Sequence, residues 1–294
     1  MSGSVAPIPR WIGVALMLLI ATLFATNHIG ARLAFDHGLN PLTAVVVRSF
    51  GTAAFVAMLL RLTGASFAMS RAQLHRAGLI GLLIAGQSYC LYSAVARIPV
   101  ALALLAFNSS PFMLGVISWV AGGERPSRRV LLAMLLALIG LALALDIVGK
   151  VGGVNPTGIA YALAAALQFA LVLYLQTRWL PNTDGRLRSL VMMTIVGIVS
   201  LAVALAIDGL AWPADGVGWL GVLMLTAFYG SAITSLFVLL PKLGTVNNAA
   251  LLNFEPIAAL MLAWSLLGQA IASIQVLGAL IVVAAILTIP GGKR

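Results

Sequence analysis

Residues 130–145 read VLLAMLLALIGLALAL, an uninterrupted apolar run between Arg129 and Asp146. Similar runs return along nearly the whole chain of 294 residues. A helix rises about 1.5 Å per residue, so roughly 20 apolar residues match a hydrocarbon layer about 30 Å thick. Inside that layer each backbone N–H and C=O must be satisfied within its own segment, which continuous apolar runs achieve as helices. Composition agrees. Only 8% of residues are charged and 62% are hydrophobic, whereas a soluble domain carries about 25% charged residues. No stretch remains for a separate soluble domain.

Pro, Gly, Asn and charge punctuate the runs: HGLNP (37–41), GGERPSRR (122–129), GKVGGVNP (149–156) and LPNTDGR (180–186). These are turn signals. They predict an all-α integral membrane protein of ten transmembrane helices near 11–35, 41–62, 72–95, 98–121, 128–148, 156–180, 186–207, 214–240, 244–267 and 271–290, with short connections. Arg10 followed by WIGVALMLLIATLFA has the layout of a secretory signal, but its place in an internal repeat argues for a first span.

Lys and Arg concentrate in cytoplasmic loops. With the N-terminus inside, thirteen of the seventeen basic residues fall inside (Arg10, Arg61, Arg71, Arg76, Arg125, Arg128, Arg129, Arg178, Arg186, Arg188, Lys242, Lys293, Arg294). Three fall outside (Arg32, Arg97, Lys150), and Arg48 lies within a span. Both termini are expected in the cytoplasm. The net charge of +10 is therefore a topology signal rather than a nucleic-acid patch.

The segments LLAFNSSPFMLGVISW (104–119) and AALLNFEPIAALMLAW (249–264) align with a shift of 145 residues. Asn108 meets Asn253, Pro111 meets Pro256 and Trp119 meets Trp264; the same shift pairs Gly13 with Gly158, Phe24 with Phe169, Tyr92 with Phe237, Arg97 with Lys242 and Gly123 with Gly268. Two repeats follow, residues 1–148 and 149–294. Five spans is an odd number, so the second repeat enters the membrane inverted, an arrangement secondary transporters use with a substrate site near the midplane.

On Arg48 in the second span, Pro111 in the fourth, Gly123–Glu124 after it and Glu255–Pro256 in the ninth, the chain resembles the drug/metabolite transporter superfamily, EamA type. Among its members it looks most like bacterial aromatic amino-acid exporters. The resemblance implies efflux of small metabolites across the bacterial inner membrane. The sequence departs from the family pattern at Gly268–Gln269, where the family has Gly–Glu, which suggests that this end-of-helix acid is structural.

Glu255 is the leading candidate for chemistry, because an ionisable group inside a span is costly. It reads either as a ligand for a substrate ammonium group or a proton carrier, or as a partner for backbone groups or a buried base. Pro256 and its counterpart Pro111 should kink their helices, each freeing a carbonyl, and are candidate hinges. Arg48 lies about 10 Å into its span by helical rise; it reads as a clamp for a substrate carboxylate or as a snorkelling or paired structural cation. Polar and aromatic groups near mid-span complete the candidate substrate site: His28, Tyr89, Tyr92, Asn108, Gln168, Tyr229, Asn253 and Trp264. Each reads equally as helix–helix packing. Spans five and ten, nearly free of polar side chains, read as lipid-facing or as packing against another copy. Trp11, Trp179, Trp212 and Trp219 read as interfacial anchors.

An enzyme needs clustered acids, histidines or cysteines. The chain has one cysteine, Cys90, and three scattered histidines, His28, His37 and His75. It has no HExxH and no phosphate-binding Gly–Lys–Ser/Thr loop, so no metal or cofactor is expected. A channel fits inverted halves poorly. The expected function is alternating-access export of small metabolites, foremost aromatic or hydrophobic amino acids; the alternatives are other small metabolites or amphipathic cationic drugs, with an enzyme or channel more remote. The partners are that substrate and the lipid bilayer. Glu255 permits proton coupling without requiring it.

Overall fold

The computed structural model describes residues 9–95, 97–98, 100–123, 127–144, 155–181, 183–207, 209–243, 248, 250–267 and 272–288. The expected boundary between 148 and 149, Glu124 and the Gly268–Gln269 pair lie outside them. Eleven α-helices are described: α1 (Arg10–Asp36), α2 (Pro41–Leu62), α3 (Arg71–Val95), α4 (Val100–Phe107), α5 (Ser110–Val120), α6 (Arg128–Ala144), α7 (Pro156–Trp179), α8 (Gly185–Ala206), α9 (Gly216–Leu243), α10 (Glu255–Leu267) and α11 (Ser273–Thr288). A short 3₁₀ helix, Ala250–Phe254, leads into α10, and no strand occurs among the described residues. Among the described residues, seven segments are long and apolar enough to cross a membrane, and two shorter apolar helices accompany them.

The turn signals work as helix caps. The side chains of Asn40 and Asn155 accept from Thr43 N–H and Thr157 N–H, each with a proline opening the next helix. Asp184 caps α8 through Arg186 N–H. Ser70 and Gln73 cap α3 reciprocally: each side chain accepts from the other's backbone N–H. Each arrangement satisfies N–H groups that a helix start leaves unpaired.

The packing partners exchange under the shift of 145. Helix α1 packs on α9, and its counterpart α7 packs on α3; α2 packs on α8 and α6 on α11, each pair being its own counterpart. The 3₁₀ helix and α10 pack against α1 as α4 and α5 pack against α7. The contacts of one half are therefore mirrored, element for element, in the other. Small residues permit the closest approaches. A Cβ on Gly221 would lie 2.7 Å from the Gly30 carbonyl, and one on Gly30 would lie 2.8 Å from Leu225 N, so α1 and α9 touch backbone to backbone. Helices α6 and α11 meet at Gly140, whose Cβ would lie 2.9 Å from the Gly278 carbonyl. Their other faces expose Leu132, Leu135, Leu277 and Leu280, and neither helix reaches the central cavity. In-helix hydroxyls of Thr22, Thr26, Thr194 and Thr226 donate to carbonyls four residues back, which satisfies them without a partner helix.

The fourth and ninth expected spans are interrupted just before their prolines. Helix α4 stops at Phe107 and α5 starts at Ser110; the 3₁₀ helix stops at Phe254 and α10 starts at Glu255. Residues 110 and 255 are counterparts, so the breaks are too. Pro111 and Pro256 stand in the first turn of a new helix, where a missing N–H costs nothing. Asn108 Nδ2 donates to the Leu104 carbonyl at 2.8 Å, and Ser109 Oγ to the Ala106 carbonyl at 2.6 Å, each a second donor on a carbonyl that already accepts the backbone N–H of the same residue.

Candidate functional site

A central cavity lies between the halves, walled by α1, α2, α3, α4, α5, α7, α9, α10 and the turns at the two breaks. Its lining follows the repeat. Phe24 and Phe169, Ile84 and Tyr229, Tyr92 and Phe237, Phe107 and Leu252, and Ser110 and Glu255 are counterparts, and both members of every pair line it. The shape is symmetric and the chemistry is not. Arg48, His28 and Glu255 face the cavity, whereas their counterparts are Met193, Leu173 and Ser110. All the charge capacity of the wall therefore comes from one set of positions.

Arg48 is 5% exposed. It donates to Tyr92 Oη at 2.9 Å and to Ser88 Oγ at 2.7 Å. Its guanidinium carbon stands 4.0 Å from the Tyr229 ring centroid and 5.2 Å from that of Tyr92. The ring faces supply partial negative charge. No carboxylate pairs with Arg48 among the described residues, and its Nε has no hydrogen-bond partner. A buried cation held only by neutral groups carries an unanswered charge, which an entering carboxylate would answer.

Glu255 opens α10, where the positive end of the helix dipole favours a carboxylate. Its Oε1 lies 2.7 Å from His28 Nε2 on α1. The approach is at ion-pair distance but off the hydrogen-bonding direction, so Oε1 lacks a directed donor. Beside His28, Asn27 is 1% exposed and neither its side-chain oxygen nor its nitrogen has a partner. An amide, a carboxylate and a guanidinium thus face one aromatic-walled space.

The family-level comparison joins this geometry to known proteins. The model of the EamA-like transporter family matches twice, over residues 11–145 and 156–290. The chain belongs to the EamA-like transporter family. The two EamA matches are displaced by the same 145 residues that relate the halves of the cavity. This is therefore a multi-pass membrane transporter with a small-molecule substrate. A solved crystal structure of a protein covers 95% of this chain and 96% of its own, with a TM-score of 0.80 and 17% identity; that likeness shows a shared fold alone. No curated protein matches the sequence.

Of the residues singled out in the sequence, Glu255, Asn108, Tyr92, Tyr229, His28 and Arg48 line the cavity. The others lie elsewhere. Tyr89 is 44% exposed, packs edge-on to Tyr161, and lines an outer cleft that Tyr92 also borders. Gln168 is held by Cys90 Sγ and the Ala164 carbonyl. Asn253 is buried with its Oδ1 unpartnered, and Trp264 is 58% exposed. The aromatic walls Phe24, Phe107, Phe169 and Phe237 were not singled out for the site. The shift of 145 was the signal for them, since it already paired Phe24 with Phe169 and Tyr92 with Phe237.

Both ends of the bundle are fastened by polar corners. At one, His37 Nδ1 meets Asp215 Oδ2 at 2.6 Å, Asn40 Nδ2 donates to the Gly209 carbonyl at 3.2 Å, and Ala211 N–H donates to Thr43 Oγ1 at 3.1 Å. The Asp215 carboxyl is held below its ordinary value, first by Gly218 N–H and then by His37. At the other, Arg188 is 3% exposed and donates to the carbonyls of Gln176, Leu180 and Phe237. There the Arg186 guanidinium holds the Asp184 carboxyl low and also donates to Thr63 Oγ1 at 3.0 Å.

Proposed function

We propose that this EamA-family protein exports amino acids, foremost aromatic or hydrophobic ones, across the bacterial inner membrane. Ten spans in two inverted five-helix repeats, residues 1–148 and 149–294, carry both termini in the cytoplasm. The observation that carries the substrate reading is that Arg48 and Glu255 line one cavity walled by aromatic rings. A zwitterion offers the matching pair of charges: its carboxylate goes to Arg48, its ammonium to Glu255, and an apolar side chain lies along Phe24, Phe107, Phe169 and Phe237. Charge-assisted contacts of this kind orient a ligand, and aromatic walls hold its apolar part.

The cavity measures about 50 Å³, room for a few water molecules and well below the roughly 300–1,000 Å³ of a site that encloses a small ligand. Substrate entry therefore requires the walls to part. The paired breaks before Pro111 and Pro256 are where the halves hinge, and alternate opening of the two polar corners gives each membrane face access in turn. This mechanism needs neither a metal nor a bound cofactor, and it is transport rather than catalysis.

An amphipathic amine is the second reading. Glu255 and the aromatic walls suit it, and Arg48 does not. Counterflow of labelled phenylalanine in proteoliposomes separates the two, with unlabelled amino acids and amines as competitors. Saturable exchange competed by amino acids supports the first reading. Competition by amines alone supports the second, and exchange with neither removes both. A C-terminal fusion to a green fluorescent protein should fluoresce and one to alkaline phosphatase should be silent; the reverse would overturn the orientation.

A further inference from the structure

His28 occupies the place at Glu255 that a substrate ammonium group would take. Its Nε2 is 2.7 Å from Oε1, and no second cation pairs with Glu255 among the described residues. Glu255 is 6% exposed, so solvent does little to answer its charge. Both groups line the cavity itself; an arriving amine meets them together.

We propose that His28 is a built-in competitor for the substrate: as imidazolium it holds the Glu255 carboxylate in the empty cavity, and an incoming ammonium group displaces it. The Nε2–H bond of the imidazolium then breaks, the proton passes to water, and neutral imidazole remains. This rests on the ammonium-binding role assigned to Glu255 above. Two cations cannot share one carboxylate without repulsion, and of the cationic side chains only imidazole ordinarily sheds its charge between pH 5 and 8. A lysine or arginine at position 28 would block the site instead of yielding it.

The other titratable or charged groups around the cavity are Arg48 on α2, Tyr92 on α3 and Tyr229 on α9; the 3₁₀ helix contributes none. The linkage has a fixed sign. Protonated His28 competes, so affinity for amines falls as pH falls, by at most about tenfold per pH unit for one proton. An acidic outer face would therefore promote release there, and each turnover would exchange one proton for one substrate.

The test uses the full-length purified protein. Binding of phenylalanine, phenethylamine and 3-phenylpropanoate is measured from pH 5.5 to 8.5, with proton release followed by a pH indicator in weak buffer. Affinity for the two amines should rise with pH and then level off, with up to one proton released per ligand. 3-Phenylpropanoate, which has no ammonium group, should show no such slope in the wild-type protein. His28→Gln should bind the amines with little pH dependence and release no proton. A slope retained in His28→Gln would assign the proton elsewhere and overturn the proposal, as would pH-independent amine binding by the wild type. If neither amine binds at any pH, the ammonium reading of Glu255 falls and this proposal falls with it. The 3-phenylpropanoate arm needs no variant, so the proposal stays testable should His28→Gln fail to fold.

Discussion

The guanidinium of Arg48 lies 4.0 Å from the centroid of the Tyr229 ring, a face that the counterpart of Tyr229, Ile84, does not offer. The counterpart of Arg48 itself is Met193, which is fully buried. One fold position thus accepts a cation in one half and a thioether in the other. Arg48→Met should therefore fold, with a thermal midpoint unchanged or raised, because replacing an unanswered buried charge by an apolar group is commonly neutral or stabilising. Phenylalanine counterflow should fall at least about tenfold, the scale of one lost charge-assisted hydrogen bond, while phenethylamine still binds. Folded protein lost in step with transport would make Arg48 structural instead.

Glu255→Gln keeps the shape at the start of α10 and removes the charge. Exchange of phenylalanine should drop by at least about tenfold at an unchanged yield of monodisperse protein. Binding of 3-phenylpropanoate should persist, because its carboxylate goes to Arg48. Exchange at the wild-type rate would exclude Glu255 from transport.

The helices were legible because lipid leaves the chain few choices: apolar runs became helices, and Asn40–Pro41, Asn155–Pro156 and Asp184 became their caps. The repeat was legible because one constant shift recurs. What a single sequence cannot carry is azimuth. Tyr89 and Tyr92 sit three residues apart and line one outer cleft together, yet only Tyr92 also reaches the central cavity. A helix that is apolar all round has no polar stripe to reveal which side faces inward. The surroundings of Pro256 were legible only in part, for a related reason. A proline inside an apolar run looks like a kink, and only the backbone shows that a 3₁₀ turn precedes it and that Glu255 begins a helix. The meeting of His28 with Glu255 joins residues 227 positions apart, and no local pattern encodes it.

The Gly30–Gly221 crossing carries a stability prediction. Gly221→Val places a Cβ 2.7 Å from the Gly30 carbonyl and from Ala34 N, and backbone cannot move aside as a side-chain tip can. The loss should be about 1–3 kcal/mol, the usual scale of overpacking, seen as a lower thermal midpoint in detergent. Gly216→Ala, where a Cβ meets nothing within 4 Å, should leave the midpoint unchanged. Equal midpoints for the two variants would deny the backbone contact between α1 and α9.

The corner at His37 and Asp215 separates capping from charge. Asp215 does two things: Oδ1 accepts from Gly218 N–H at 2.9 Å, and Oδ2 meets His37 Nδ1 at 2.6 Å. An asparagine side-chain oxygen still accepts from Gly218 N–H, so Asp215→Asn should lose only the charge at His37, whereas Asp215→Ala loses both contacts. Hydrogen-exchange protection of residues 37–43 and 209–215, corrected for intrinsic rates, should therefore fall further in the alanine variant. The pH dependence follows from the depressed carboxyl. A group whose folded value lies below its ordinary 3.8 contributes above that ordinary value and loses its contribution as pH falls through the folded one. The Asp215 carboxyl itself should therefore stay charged down to about pH 5, and its own contribution to the corner should be lost only in acid below about pH 4. Opening in Asp215→Asn no greater at pH 7 than in the wild type would mean that the cap to Gly218, not the meeting with His37, closes this end of the cavity.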